Sequence, residues 1–400
     1  MVHEINLTSI NQPNMNAKDV IYLSILLFVN ISCSKDNTKN MFPSPDINIR
    51  EERNITYMVD TLIIDTTMNT TFEGNMGVHD NRLYFIDRLF CTIHFFDSTG
   101  KISFRTLGIG RGPTETTIGQ IYTHTFLNNG YLCLQGVTDD VQLFDREYKI
   151  DRSKSYRKTR KSYKLGDKIG YDQFELYSMG FPLVCRSYKN SVFTNNRAED
   201  PTFNYFRTPD IFVKEFRGIT EQRLDKKETG RLLGRGMPDV YKNRPDTHYI
   251  FSSTFFDIDP DGNFYVAYMA DSLIYKYDKD YNPLYSFGFE GRARDKEYVS
   301  VKSVKDIQGK GVAQYRTKGY YTWVEHIDEL GYLFRSYSKG EKESSDGLQI
   351  YQDRTLIADI DVPKGFKPIG YIKPYLFSDA IVDEGKMRVY VYRVRLKMEC

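Results

Sequence analysis

The chain predicts an all-β protein, a six-bladed β-propeller built from four-stranded antiparallel blades. Three observations lead there. Tyrosine and phenylalanine are abundant, 31 and 26 in 400 residues, and aromatic side chains suit half-buried pleated surfaces. A polar turn followed by an aromatic-rich strand recurs six times along the chain. Strand-like runs stand at both ends of the body.

The recurring unit reads HDNRLYFID from His79, LNNGYLCLQ from Leu127, YKNSVFTN from Tyr188, DPDGNFYVAY from Asp259, DELGYLFRSY from Asp328 and DEGKMRVYVY from Asp383. Most units lead into a second strand that ends in an aromatic–Asp turn. Examples are TIHFFDSTGK from Thr92, VQLFDREYK from Val141 and LIYKYDKDYN from Leu273. Asp, Asn and Gly supply the turn and apolar residues the buried face, which is the signature of a hairpin. A lone hairpin cannot bury its face, whereas radially repeated four-stranded sheets can. Repeats spaced by about 50–70 residues set the blade count at six. The terminal runs, ITYMVDTLIID from Ile55 and MRVYVYRVRL from Met387, are expected to share one blade and close the ring. Helical periodicity is weak. The best helical candidate, Glu221 to Leu233, reads as an insertion between blades. The third and fourth units lie furthest apart, so the longest loops are expected there.

The start of the chain looks like an export signal. Residues 20–32, VIYLSILLFVNIS, form an apolar run too short to span a bilayer, where roughly 20 residues are needed, and of the length of a secretory core. It ends in Ile31-Ser32-Cys33, which resembles a bacterial lipobox with Asn30 in place of the usual leucine. Residues 1–33 are therefore expected to be a signal segment, with Met15 an alternative start and Cys33 the lipidated residue. Residues 34–52 are polar, carry two prolines and read as a flexible tether. The propeller is expected over 53–400. This places the protein in the cell envelope as an outer-membrane lipoprotein facing the periplasm or the cell surface.

The stretch LGIGRGPTETT, from Leu107, poses a choice between a phosphate cradle and a bend. A dinucleotide loop needs a helix opening behind its glycines, and a Walker loop needs Gly-Lys-Ser/Thr. Neither is present, so no nucleotide is expected. Gly108, Gly110 and Gly112 permit unusual backbone angles, and Pro113 stops further strand pairing. The stretch is thus expected to end a strand and turn the chain toward the next blade. In the longer form FFDSTGKISFRTLGIGRGPTE, it resembles six-bladed β-propeller lipoproteins of gut-type Gram-negative bacteria. The matching residues are Phe96, Asp97, Gly100, Lys101, Gly110, Gly112, Pro113 and Glu115, while Thr114 and Thr116 depart from the pattern. DPDGNFYVAY is likewise similar to an NHL-type propeller repeat. The resemblance implies fold and location, and no catalytic residue.

Other patterns admit plain structural roles. Asp257, Asp259, Asp261 and Gly262 open like a calcium loop, but Tyr268 stands where the closing glutamate belongs. A hairpin turn is the simpler account. The run from Arg152 to Lys164 holds seven basic residues and two tyrosines, and Arg157, Lys158, Arg160 and Lys161 are the candidate contacts for a polyanion. A formal net charge of +2 argues against a dedicated nucleic-acid binder. Tyr320, Tyr321 and Trp323, followed by Glu325 and His326, could stack on a sugar or fill a strand core. The six histidines are scattered. Cys91, Cys133 and Cys185 sit in apolar stretches and read as buried hydrophobes, and no CxxC spacing supports zinc.

No cofactor or metal is implied. The expected function is a non-enzymatic binding or scaffold protein for a glycan, peptide or envelope protein. The alternative is a hydrolase or lyase acting at the central channel. The two are separated by whether the channel gathers carboxylates and histidines or presents a smooth aromatic or basic surface.

Overall fold

A computed structural model describes residues 40–398, apart from 46, 54, 138–139, 159–169, 199, 201 and 206. Its strands form six antiparallel sheets, each with a four-stranded core, arranged as the six blades of a propeller. Blade 1 comprises Gly74–His79, Arg82–Asp87, Thr92–Phe96 and Ile102–Leu107. Blade 2 comprises Ile121–Phe126, Leu132–Gly136, Asp140–Phe144 and Tyr156–Arg157. Blade 3 comprises Cys185–Tyr188, Ser191–Ala198, Ile219–Arg223 and Glu228–Leu233. Blade 4 comprises Thr254–Ile258, Phe264–Tyr268, Ile274–Tyr277 and Pro283–Phe287. Blade 5 comprises Tyr321–Ile327, Tyr332–Tyr337, Asp346–Gln352 and Thr355–Val362. Blade 6 is Pro368–Ile372, then Tyr375–Ser378 continued by Ile381–Asp383, then Arg388–Met398, with Ile55–Ile63 outermost.

The ring closes as expected from the strand-like termini. Ile55–Ile63 pairs antiparallel with the last strand over nine positions, from Ile55 against Met398 to Ile63 against Tyr390. Apolar clusters lie between neighbouring blades. In blade 1, Phe85 packs toward blade 6 while Tyr84 and Ile86 pack toward blade 2. Central strands are therefore covered on both faces, and Phe264–Tyr268 is buried throughout. Cys91, Cys133 and Cys185 are buried free thiols within these clusters.

The turn chemistry repeats with the blades. Each of the six recurring units holds a left-handed residue at its turn: Asn81, Gly130, Lys189, Gly262, Gly331 and Met387. The aromatic–Asp turns share a second device. The Asp97 carboxylate accepts from the amides of Thr99 and Lys101. Asp145 does the same with Glu147 and Lys149, and Asp278 with Asp280 and Asn282. A short acid caps its own turn in three blades.

Three expectations are corrected. The sixth unit is out of step: in blades 1–5 the unit joins the first and second strands, but at Asp383 it joins the second and third. The second strand of blade 6 is interrupted between Ser378 and Ile381, which shifts the motif without changing the blade count. The segment Glu221 to Leu233 is the outer hairpin of blade 3 and not a helix. Its acids and bases pair across strands, Arg223 with Glu228 at 2.5 Å and Arg231 with Glu221 at 2.7 Å, whereas in a helix its i,i+4 charges, such as Arg223 and Lys227, would repel. Among the described residues, the longest α-helix in the wide interval between the third and fourth units is Pro209–Glu215, of 7 residues.

The third correction concerns the expected tether, which is docked from Met41 onward. Phe42 lies edge-on to Tyr275 at 5.2 Å, Tyr277 donates to the Met41 carbonyl, and Ser286 donates to the Pro43 carbonyl. Ile49–Arg50 then pairs parallel with the outer strand of blade 5. Phe42 supplies the apolar anchor that a run read as polar conceals. Among the described residues no helix is long and apolar enough to cross a membrane.

The glycine stretch joins blade 1 to blade 2. The strand ends at Leu107, and Gly108 follows at φ 141°. The loop then folds around Glu115, whose Oε2 accepts from the Gly112 amide at 2.7 Å. A Cβ on Gly110 would lie 1.9 Å from that same oxygen. The anion held by this loop is thus the chain's own carboxylate. The Pro113 carbonyl accepts from Ile150, tying the loop to the next blade. Gly110→Ala must displace the Glu115 carboxylate, so Gly110→Ala and Glu115→Ala should each cost about 1.5–3 kcal/mol, the range for a hydrogen bond to a charged group. In urea denaturation the double variant should lose little more than either single variant.

Candidate functional site

The first strands of the six blades surround a central channel. One part of it is a cavity of about 390 Å3, lined by residues from all six blades. That volume lies within the usual range of small-molecule sites, about 300–1,000 Å3.

Its centre is a charge cluster. Arg186, on the first strand of blade 3, donates through Nε to Asp257 of blade 4 at 2.5 Å. Its Nη2 donates to Glu325 of blade 5 at 2.5 Å. Trp323 Nε1 donates to the same Glu325 Oε2 at 2.9 Å, and the guanidinium lies over the indole at 5.3 Å. The second oxygen of Asp257 accepts from the His326 amide at 2.6 Å. Asp257 thus has both oxygens engaged, whereas Glu325 Oε1 takes no hydrogen bond among the described residues.

The remaining wall is polar with one aromatic side. The Tyr84 hydroxyl meets His124 Nε2 at 2.9 Å. His79 stacks on Phe126 at 3.6 Å. His326 meets Asp328 at 2.7 Å and stacks on Tyr265. Asp379, from blade 6, accepts from the amides of Met76 and Ala380 through Oδ1, leaving Oδ2 without a partner among the described residues.

Titration follows from these surroundings. Burial pushes the Glu325 pKa up to about 8; Arg186 opposes the rise and neighbouring Asp257 adds to it. Burial, with Arg186 nearby, pushes His124 down to about 4, so it is neutral. Burial also works against the charge of His326, but its bond to Asp328 and the adjacent acids outweigh that, and its pKa rises. The channel therefore carries one cation locked between two acids, with further acceptors around it.

No family model matches the chain, and no curated protein matches it. Solved structures do. A member of the DUF4221 family from Bacteroides vulgatus superposes with a TM-score of 0.59 at 11% identity, covering 87% of this chain and 100% of that one. A protein from Bacteroides fragilis inferred to be exported superposes with a TM-score of 0.53 at 12% identity, covering 87% of this chain and 99% of that one. The likeness is one of fold.

The sequence candidates separate in space. Of the calcium-like acids, Asp257 faces the channel, Asp259 caps its own hairpin through Asn263, and Asp261 stands at the turn tip, its carbonyl receiving the Tyr188 hydroxyl. The carboxylates of Asp257 and Asp259 serve different partners, and Asp261 engages through its backbone carbonyl. The aromatic group also divides. A bulge between Tyr321 and Trp323 breaks the strand's alternation; Tyr321 is buried beneath Arg335 at 4.0 Å, while Trp323 reaches the channel. Arg157 and Lys158 lie at the outer edge of blade 2, away from the channel, Arg157 near Asp140 and Lys158 over the Phe174 ring. Arg160, Lys161 and Cys33 lie outside the described residues.

Sequence reasoning passed over Arg186, Asp379, His79 and His124. Arg186, His124 and Asp379 carry no local pattern, and His79 is marked in the sequence only as the start of a turn unit. Three of the six histidines, scattered in sequence, line the one cavity once the ring closes.

A pH dependence follows. Glu325 titrates higher folded than unfolded, so it holds a proton more tightly in the native state. Its contribution to stability is complete below the ordinary glutamate pKa and is lost as pH rises through about 8. Thermal unfolding from pH 5 to pH 8.5 should show the native protein losing ground to Glu325→Gln, by up to about 1.4 kcal/mol per pH unit.

Proposed function

We propose that this protein is an exported cell-envelope propeller, lipid-anchored through Cys33, whose central channel binds a small polar ligand such as a glycan or the end of a peptide or protein partner. The observation that carries this reading is the preorganised, acceptor-rich cavity around Arg186, Asp257 and Glu325. Its polar groups are held by one another and by backbone, which is how a rigid scaffold presents a binding site. The hydroxyls of Ser187 and Thr125 support binding over nucleophilic catalysis. Ser187 and Thr125 both donate to the Phe126 carbonyl and not to a base. Export is supported by the apolar run at 20–32 and its Cys33 terminus. The inferred export of the Bacteroides fragilis structural neighbour agrees with it.

A second reading has its own observation. Glu325 is held protonated by burial, and a carboxylic acid kept neutral near pH 7 can serve an enzyme as a general acid. A hydrolase or lyase would leave altered ligand behind.

The only tryptophan in the chain is Trp323, so its emission reports on this cavity. Titration with a panel of oligosaccharides and short peptides should give a saturable change in emission, with the ligand recovered intact by mass spectrometry. Recovery of cleaved ligand would establish the second reading. A ligand that binds with no change at Trp323 would place the site elsewhere. For the anchor, mass spectrometry should find a lipid on Cys33, and Cys33→Ala should release the protein from membranes; an unlipidated, membrane-bound chain would contradict it.

A further inference from the structure

Resting on the channel as the binding site, we infer that the group it recognises is a primary ammonium, seated against Glu325 Oε1 and Asp379 Oδ2.

The balance of charges in the cavity sets the ligand. Among the described residues Arg186 is the only Lys or Arg side chain lining the cavity, and each of its nitrogens already donates once: Nε to Asp257, Nη2 to Glu325 and Nη1 to the Cys185 carbonyl at 3.2 Å. One cation faces two acids here. Asp257 balances it and is satisfied at both oxygens. Glu325 is the surplus acid, and its Oε1 is unpartnered. Asp379 is a third acid on the same cavity, and among the described residues no cation is paired with it. Asp328 is matched by His326. An anion would meet a single cation already flanked by two acids, and a neutral ligand would leave the surplus unanswered. An ammonium brings three donors and the missing charge to two acceptors that lack both.

The groups facing Glu325 decide how binding responds to pH. Blade 3 contributes Arg186 and blade 4 Asp257, with Asp259 further along the same hairpin. Blade 5 itself contributes Trp323, His326 and Asp328. Blade 6 contributes Asp379, blade 1 Tyr84 and His79, and blade 2 the neutral His124. In the empty channel Glu325 keeps its proton at neutral pH, because burial and Asp257 both oppose a second negative charge. A bound ammonium reverses that preference. Glu325 then ionises, its proton leaves to solvent, and the carboxylate pairs with the ligand. Affinity should therefore rise with pH while the ligand amine stays charged.

The test uses the folded protein and matched probes in titration calorimetry, with Trp323 emission as a second readout. At pH 8.5, 1,5-diaminopentane should bind about tenfold or more tightly than 1,5-pentanediol, and at pH 6.5 glucosamine more tightly than glucose. Heats in phosphate and Tris should differ by the ionisation of the buffer, as required when a proton is released. Between pH 6 and pH 8.5 the affinity for 1,5-diaminopentane should rise. Glu325→Gln should lose that rise and the buffer dependence while staying folded, with a melting temperature that falls less than the native protein's between pH 6 and pH 8.5. Asp379→Asn, which keeps Oδ1 for Met76, is the independent variant and should weaken the diamine without removing the proton release. Diol and diamine binding equally, with Trp323 responding to both, would overturn the ammonium and leave the channel site standing. Diamine binding that is indifferent to both variants, or no diamine binding at all, would also overturn it; the oligosaccharide and peptide panel then decides separately whether the channel binds anything.

Discussion

One guanidinium serves two carboxylates at the centre of the ring, and much of this molecule can be read from that imbalance. Arg186, Asp257 and Glu325 come from three consecutive blades. They meet only because blades 3, 4 and 5 stand side by side around the channel. Charges taken out of water need close partners to offset their desolvation. The cluster meets that demand for Asp257 and leaves it half met at Glu325, whose proton makes up the difference. The closing strand Ile55–Ile63 fixes the ring, and the ring fixes these distances.

A second buried arginine shows what a fully satisfied cluster looks like in the same protein. Arg335 is completely buried between blades 4 and 5. Its Nε meets Gln349, its Nη1 the Ser272 carbonyl, and its Nη2 the Phe289 carbonyl and Tyr351, while the Tyr321 ring stacks on its plane. No donor nitrogen is left over. That arrangement joins blades and asks nothing of a ligand. Both clusters lie along the first strand of blade 5, Tyr321 at its start and Glu325 four residues on. The difference between them is the difference between cement and a site.

How much of this was legible in the sequence depends on the range of the interaction. Local signals were readable. The left-handed turns at Asn81, Gly130 and Gly262 and the self-capping Asp97, Asp145 and Asp278 lie within a few residues of their partners, and counting them yielded six blades. The terminal strands also announced the closure. The site was only partly visible. Asp257 stood out for calcium-like spacing and Glu325 for following an aromatic cluster, but each was noted for a reason the structure does not use. Arg186 had no signal, because its partners lie 71 and 139 residues away. The outer hairpin of blade 3 misled for a related reason: the partners that hold it, Arg223 with Glu228 and Arg231 with Glu221, lie 5 and 10 residues apart and meet only across paired strands. Phe42 was hidden in a polar run because one aromatic ring is enough to dock a segment when a ready-made aromatic surface receives it.

The account turns on Glu325 being the surplus acid of the channel, and its ionisation can be observed directly. The measurement is the side-chain carboxyl carbon shift of Glu325, assigned by comparison with Glu325→Gln and followed by NMR across pH 4 to pH 10. The account predicts a midpoint far above the ordinary glutamate value of about 4.3, reached in the empty channel. A midpoint at the ordinary value would mean that Arg186 satisfies both acids alone, and the channel would hold no surplus for a ligand to answer.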